Sequence, residues 1–112
     1  MEIIYLEEVE FDLQDGRAFY DRQQRGIGDY FIDSVLADTE SLSLYGGTHS
    51  KHFGFFRLLG KTFPFAIYYL MDGDQISVCA ILDMRRDPAW IRAELQNRSE
   101  QGEATKPDNV PS

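Results

Sequence analysis

A run near the middle of the chain, Phe63-Pro64-Phe65-Ala66-Ile67-Tyr68-Tyr69-Leu70-Met71, is apolar at odd and even positions alike and rich in aromatic and β-branched residues. Such a run reads as a strand buried on both faces, and hence as the centre of a sheet. Asp72-Gly73-Asp74 tolerates positive φ and predicts a tight reversal. Beyond it, Ile76, Val78, Ala80 and Leu82 alternate with Ser77, Cys79, Ile81 and Asp83, predicting a second strand with one mainly apolar face. The strand leaves through Met84-Arg85-Arg86-Asp87-Pro88-Ala89-Trp90, with paired arginines at its exit and Pro88 opening a helical segment. This hairpin is the expected core, and its basic exit the leading candidate site.

The remaining elements follow from spacing. Ile3, Ile4 and Tyr5 predict a short strand over Glu2–Leu6, at or near an edge of the sheet and paired with the hairpin. Val9, Leu13, Gly16 and Tyr20 recur at helical intervals behind Glu7, Glu8 and Glu10, which suit the positive end of a helix dipole. Gly16 weakens that helix by about 1 kcal/mol relative to alanine, so a close packing contact is expected there. Arg25-Gly26-Ile27-Gly28 links this helix to a second, whose stripe is Phe31, Val35, Thr39 and Leu42, ending at Tyr45-Gly46-Gly47. Thr48–His52 reads as loop, Phe53–Leu59 as a strand and Gly60-Lys61-Thr62 as a turn into the central strand. Trp90, Ile91 and Leu95 give a short last helix over Ala89–Arg98.

The order β-α-α-β-β-β with a short C-terminal helix specifies an α+β fold: a helical hairpin covering one face of a small, mainly antiparallel sheet. Residues 1–98 form one domain. The polar stretch 99–112 buries too little apolar surface to offset its ordering entropy, and is expected to be disordered.

Charge and cysteine content narrow the function. Of a formal net charge of −8, the acid is concentrated in residues 1–40, with eleven acidic and three basic residues. Residues 41–98 carry five acidic and seven basic, leaving the hairpin half mildly basic and suited to an anionic or mixed partner. The acids of the first helix read as a solvated face. The single cysteine, Cys79, lies within a strand pattern and reads as a buried, inert thiol. No apolar run approaches the roughly 20 residues that span a bilayer. The acidic start lacks the features of a signal peptide. The expected location is therefore the cytoplasm, with no membrane partner.

Several chemistries find no support. Gly26-Ile27-Gly28 joins two helices rather than a strand and a helix, so it is no phosphate loop. His49 and His52 have no further ligand nearby and read as exposed loop histidines rather than a metal site. No Ser/His/Asp arrangement has a recognisable context. What remains is basic and aromatic: Arg57 within an apolar strand, Lys61 in the following turn, Arg85 and Arg86 at the strand exit, and Trp90 after them. If their strands are neighbours, these cations converge on one surface, where they would bind phosphates, stabilise phosphoryl-transfer charge or bind carboxylates. The alternative is that Arg57 and Arg86 pair with Asp83 and Asp87 and hold the sheet end together.

The arrangement resembles the RelE/ParE toxin superfamily of type II toxin–antitoxin systems, in particular the ParE-like (plasmid stabilisation) branch. The residues that carry the resemblance are Phe19-Tyr20, Gly26-Ile27-Gly28 with Phe31, Arg57-Leu58-Leu59 before Phe63-Pro64-Phe65, Ile67-Tyr68-Tyr69, and Arg85-Arg86-Asp87-Pro88 with Trp90. Together they cover roughly residues 3–95. The resemblance implies a toxin without cofactor or metal, held as a hetero-oligomer by a cognate antitoxin or as a homodimer. ParE members poison DNA gyrase; RelE members cleave mRNA on the ribosome. For a ParE-like binding toxin it implies Arg57, Arg85, Arg86 and Trp90 as target-binding residues. For a RelE-like endoribonuclease it implies Arg57, Lys61 and Arg85 as catalytic residues. Asp83-Met84 stands where a histidine often precedes the arginine pair, and no tyrosine follows that pair. The chain is also acidic, where ribosome-directed toxins rely on phosphate contacts. These departures favour the ParE branch, in which the protein binds rather than catalyses. A non-toxic relative that only binds antitoxin is the remaining reading.

Overall fold

The computed structural model describes residues 1–105. In chain order the elements are β1 (Glu2–Tyr5), α1 (Glu7–Gln23), α2 (Ile27–Glu40), α3 (Leu42–Tyr45), β2 (Lys51–His52), β3 (Phe55–Leu59), β4 (Phe65–Asp72), β5 (Gln75–Asp83) and α4 (Pro88–Thr105). The strands form one sheet in the order β1-β5-β4-β3-β2, antiparallel throughout except for the parallel β1–β5 pair. The α+β architecture is the expected one, and the apolar run is its central strand. Phe65 to Tyr69 are all buried, alternating between two cores.

The helical hairpin covers the first face. Val9, Phe31, Val35 and Leu42 pack there on Phe65, Ile67, Tyr69, Ile76, Val78 and Ile81. Phe31 is the hub of an aromatic group, with Tyr20, Phe63 and Phe65 at ring-centroid distances of 5.3, 5.3 and 4.7 Å. Gly16 makes this possible, because a Cβ there would stand 2.5 Å from the Phe31 ring. In the link between the helices, Gly26 sits in the left-handed region at φ 93° and starts α2.

Three expectations are corrected. First, helices cover both faces of the sheet. Ile91 and Leu95 of α4 pack on Phe55, Ala66, Tyr68, Ala80 and Leu82 on the side away from the hairpin. Second, β5 does not keep a single alternation. Tyr68 pairs with Ala80 and Tyr69 with Val78, so Cys79 is an extra residue, a β-bulge that switches the faces beyond it. Ile76, Val78 and Ile81 therefore serve the hairpin core, and Cys79, Ala80 and Leu82 the α4 core. With both faces apolar, the sequence pattern has no contrast that would mark the bulge. Third, Thr48–His52 is not all loop. Lys51–His52 pairs with Phe55–Phe56, and the reversal uses Phe53 and Gly54 at φ 57° and 86°. Positive φ at both central residues matches the right-handed twist of a two-residue hairpin.

The two histidines are half-buried rather than exposed. His49 Nδ1 lies 2.5 Å from the Tyr69 hydroxyl, which also accepts the Gly47 N–H at 2.9 Å. His52 Nε2 lies 3.2 Å from the Ser50 hydroxyl. Cys79 is buried as expected, its thiol donating to the Ser77 carbonyl at 3.4 Å. The last helix continues past Arg98 to Thr105. The rest of the expected disordered tail, 106–112, lies outside the described residues. Among those described, no helix is long and apolar enough to cross a membrane.

Replacing Gly16 by alanine weighs helix propensity against the Phe31 contact. Propensity favours alanine by about 1 kcal/mol, and overpacking of a filled core costs about 1–3 kcal/mol. Gly16→Ala is expected to lower the unfolding free energy by up to about 2 kcal/mol in urea titrations. A variant more stable than the parent by the full propensity gain would contradict the packing of α1 on Phe31.

Candidate functional site

The first-face and second-face helices diverge at the end of β5, and the site begins with an edge that β1 leaves open. β1 pairs with residues 75–78 only, and the Leu6 N–H makes the last backbone bond across, to the Val78 carbonyl. Past the bulge, two side chains take over the role of a neighbouring strand. Asp12 of α1 accepts the Ile81 N–H at 3.0 Å, and Arg98 of α4 donates to the Cys79 carbonyl at 3.0 Å. The two are also joined to each other by paired bonds of 2.6 and 2.7 Å, with only 8% of either side chain exposed. Burial works against the Arg98 charge, but the hydrogen bonds and charge of Asp12, then Glu94 and Glu8, hold its pKa above the ordinary arginine value. Asp12 is therefore not part of a solvated acidic face. It and Arg98 are buried charges that close the sheet.

Above this pair α1 and α4 leave an open cleft of about 740 Å³. Phe11, Phe19 and Arg22 line it from α1, Trp90 and Glu94 from α4, and Asp83 and Arg86 from the end of β5. Phe11 is 67% exposed, unusual for an apolar side chain of its size. The Arg86 guanidinium lies 3.5 Å from the centre of the Trp90 ring, a cation–π stack that fixes both groups at the cleft wall. Arg85 is held at the cleft end by Asp83, with side-chain bonds of 3.0 and 2.8 Å and a backbone N–H bond of 2.8 Å. Its guanidinium lies 5.9 Å from the centre of the Phe19 ring and beside the buried Tyr20 hydroxyl. Burial alone would raise the Asp83 pKa, but the hydrogen bonds and charge of Arg85, helped by Arg86, leave it below the ordinary aspartate value.

The five residues singled out from sequence thus separate into groups. Arg85, Arg86 and Trp90 gather around the exit of β5. Arg57 does not join them. It pairs in register with Tyr68, on the α4 face, and its Nε is buried without a hydrogen-bond partner among the described residues. Burial raises the Tyr68 pKa, and the adjacent Arg57 pulls the other way. Lys61 lies in the β3–β4 turn, its backbone N–H bonded to Asp38 of α2 at 3.1 Å and its side chain exposed. Arg57 lies on the α4 face of β3, whereas Arg85 stands beside Phe19 and Tyr20 of α1, so these two cations serve opposite faces of the sheet. Arg86 stacks on Trp90, and the ion pair at the sheet end is that of Arg85 with Asp83. Among the described residues, no group of three or more His, Cys, Asp or Glu is placed to hold a metal ion.

Sequence reasoning missed Phe11, Asp12, Arg22 and Arg98. A signal existed for two of them. Asp12 falls three residues after Val9, and Arg98 three after Leu95, so each interrupts an apolar stripe with opposite charge.

Two consequences are measurable. Asp12→Ala strands a buried arginine and is expected to cost about 3–5 kcal/mol, only part of it recovered when Arg98→Met is added, because the Ile81 N–H and Cys79 carbonyl stay without partners; simply additive losses would refute the coupling. The Asp83–Arg85 pair, exposed on its arginine side, contributes no more than about 1 kcal/mol. Because the folded Asp83 pKa is lowered, that contribution is complete above the ordinary aspartate range. It vanishes as pH falls through the lowered value. Arg85→Ala is thus expected to flatten the acid limb of a stability–pH profile while leaving the fold intact, and an unchanged limb would exclude the pairing.

No protein-family model matches the sequence, and no curated protein is significantly similar to it. Among solved structures, the fold is similar to that of a chain in the chromosomal ParDE TA system from P. aeruginosa, with a TM-score of 0.65. The likeness covers 72% of this chain and 92% of that one at 15% sequence identity, and it establishes a shared fold.

Proposed function

We propose that the protein is the toxin component of a type II toxin–antitoxin system of the ParE type, acting by binding DNA gyrase and neutralised by a cognate antitoxin. The fold it shares with a ParDE chain carries this reading, and the order of motifs from Phe19 to Trp90 agrees with it.

The choice of a binding mechanism rests on the arginines. A ribonuclease acting through Arg57, Lys61 and Arg85 needs them within reach of one phosphate. Here Arg57 lies on the α4 face of the sheet beside Tyr68, whereas Arg85 stands at the hairpin side next to Phe19 and Tyr20. A net charge of −8 also suits ribosomal RNA poorly. In the binding reading Arg85, Arg86 and Trp90 contact the target, and Arg57 supports the sheet. The cleft between α1 and α4 receives the antitoxin, whose apolar side chains would cover Phe11 and Phe19 and whose charges would meet Arg22, Arg86 and Glu94. Covering this cleft would also cover the target-binding residues, which accounts for neutralisation.

The test is induction of the chain alone in bacteria, with pulse labelling by thymidine and methionine, alongside supercoiling by purified gyrase. Early loss of thymidine incorporation and inhibited supercoiling are expected, both weakened at least about tenfold by a Trp90→Ala, Arg86→Ala double variant, as loss of interface anchors predicts. Arg57→Ala is expected to keep inhibition if folded. Early loss of methionine incorporation would establish the ribosomal reading instead. No effect on either label, with antitoxin binding intact, would mark a non-toxic relative.

A further inference from the structure

A second concavity lies on the opposite side of α4, away from the cleft and from the residues proposed to bind target or antitoxin. It holds about 470 Å³ and is walled by Phe53, Phe55 and Leu70 on the sheet side and by Arg92, Gln96 and Ser99 of α4. In a chain with 19 acidic residues, none of the described residues of this wall is acidic. Among them the one charge is Arg92, which has no carboxylate partner among the described residues. The arginine instead lies against the Phe53 ring, 5.2 Å from its centre.

The Arg92 N–H donors make no hydrogen bond among the described residues and keep the fork that matches a carboxylate. Gln96 and Ser99 follow along α4 at four and seven residues from Arg92, on the same side of the helix, and add donors with adaptable direction. Opposite them Phe55 and Leu70 form an apolar floor. The ring of Phe53 is placed there by an unfavourable backbone. Phe53 has a φ of 57°, the only non-glycine residue described with positive φ, at a turn position where asparagine, aspartate or glycine is preferred. Strain of this kind persists where a side chain is needed in one place.

We infer that this concavity is a binding site for a carboxylate carried on an apolar group, of the kind presented by a polypeptide ending in an aliphatic residue. Arg92 takes the carboxylate, Gln96 and Ser99 complete its hydrogen bonds, and the side chain lies on Phe55 and Leu70. Phe53 is a positioning residue that keeps the guanidinium at this wall.

The experiment is an NMR titration of the isotope-labelled full chain with N-acetyl-L-leucine, with N-acetyl-L-leucinamide and with inorganic phosphate. Saturable shifts at the Arg92 Nε–H, the Gln96 side-chain amide and the Ser99 backbone amide are expected for the acid. The amide is expected to bind at least about tenfold more weakly, since it lacks the charge. Arg92→Gln, at an exposed position, is expected to abolish the difference between acid and amide. Phe53→Asn keeps the turn and is expected to weaken the acid while leaving the amide unchanged. Equal binding of acid and amide, no binding of either, or an undiminished preference in Arg92→Gln would overturn the proposal. Phosphate binding as tightly as the acid would also overturn it, because the apolar part would then contribute nothing.

Discussion

The buried pair of Asp12 and Arg98 is the constraint on which the arrangement of the other elements turns. It joins α1, β5 and α4, three elements that lie in different layers, at one point where only 8% of each side chain reaches solvent. A sheet edge left open under two helices would carry unsatisfied N–H and C=O groups, which cost free energy when shielded from water. Asp12 and Arg98 satisfy the Ile81 N–H and the Cys79 carbonyl with side chains in place of a further strand. An apolar pair of similar volume would pack as well and leave both backbone groups without partners. The pair therefore both satisfies these backbone groups and specifies where α4 docks.

The bulge at Cys79 belongs to the same device. By inserting one residue it turns the backbone groups of the upper part of β5 outward at the positions where Asp12 and Arg98 can meet them. It also divides the apolar side chains of β5 between two cores, so that a nine-residue strand serves the helical hairpin from both sides of the bulge, through Ile76, Val78 and Ile81, and α4 from Cys79 onward. The cleft is the space left where the two helical layers separate above this point. Its walls combine exposed aromatics with charges of both signs, the composition of a surface that recognises an amphipathic segment.

The two sides of α4 are chemically distinct. Toward α1 its charges are committed, Arg98 to Asp12 and the adjacent Arg86 to Trp90. Toward the β2–β3 turn, Arg92 faces aromatic, aliphatic and neutral polar side chains among the described residues. One helix thus separates a mixed-charge cleft from a smaller concavity whose one charge among the described residues is a cation.

Much of the fold was legible in the chain. The doubly apolar run of Phe65–Tyr69 determined a central strand, since only burial on both faces accommodates it. The helical stripes from Val9 to Leu42 determined the hairpin, and Gly16 marked its closest contact, because a residue without a side chain in a helix is kept where space is lacking. Arg85, Arg86 and Trp90 were legible as a cluster because they are close in sequence at a strand exit. What depends on neighbours distant in the chain was not legible. The bulge is invisible where both faces are apolar. The second helical layer follows from where α4 turns after Pro88. The separation of Arg57 from Arg85 was decided by strand order and face, since local spacing reports neither. The Asp12–Arg98 pair, 86 residues apart, exists only once three layers have assembled around it. Periodicity records which residues share a face of one element; which faces meet is settled by packing, and the site lies where they do.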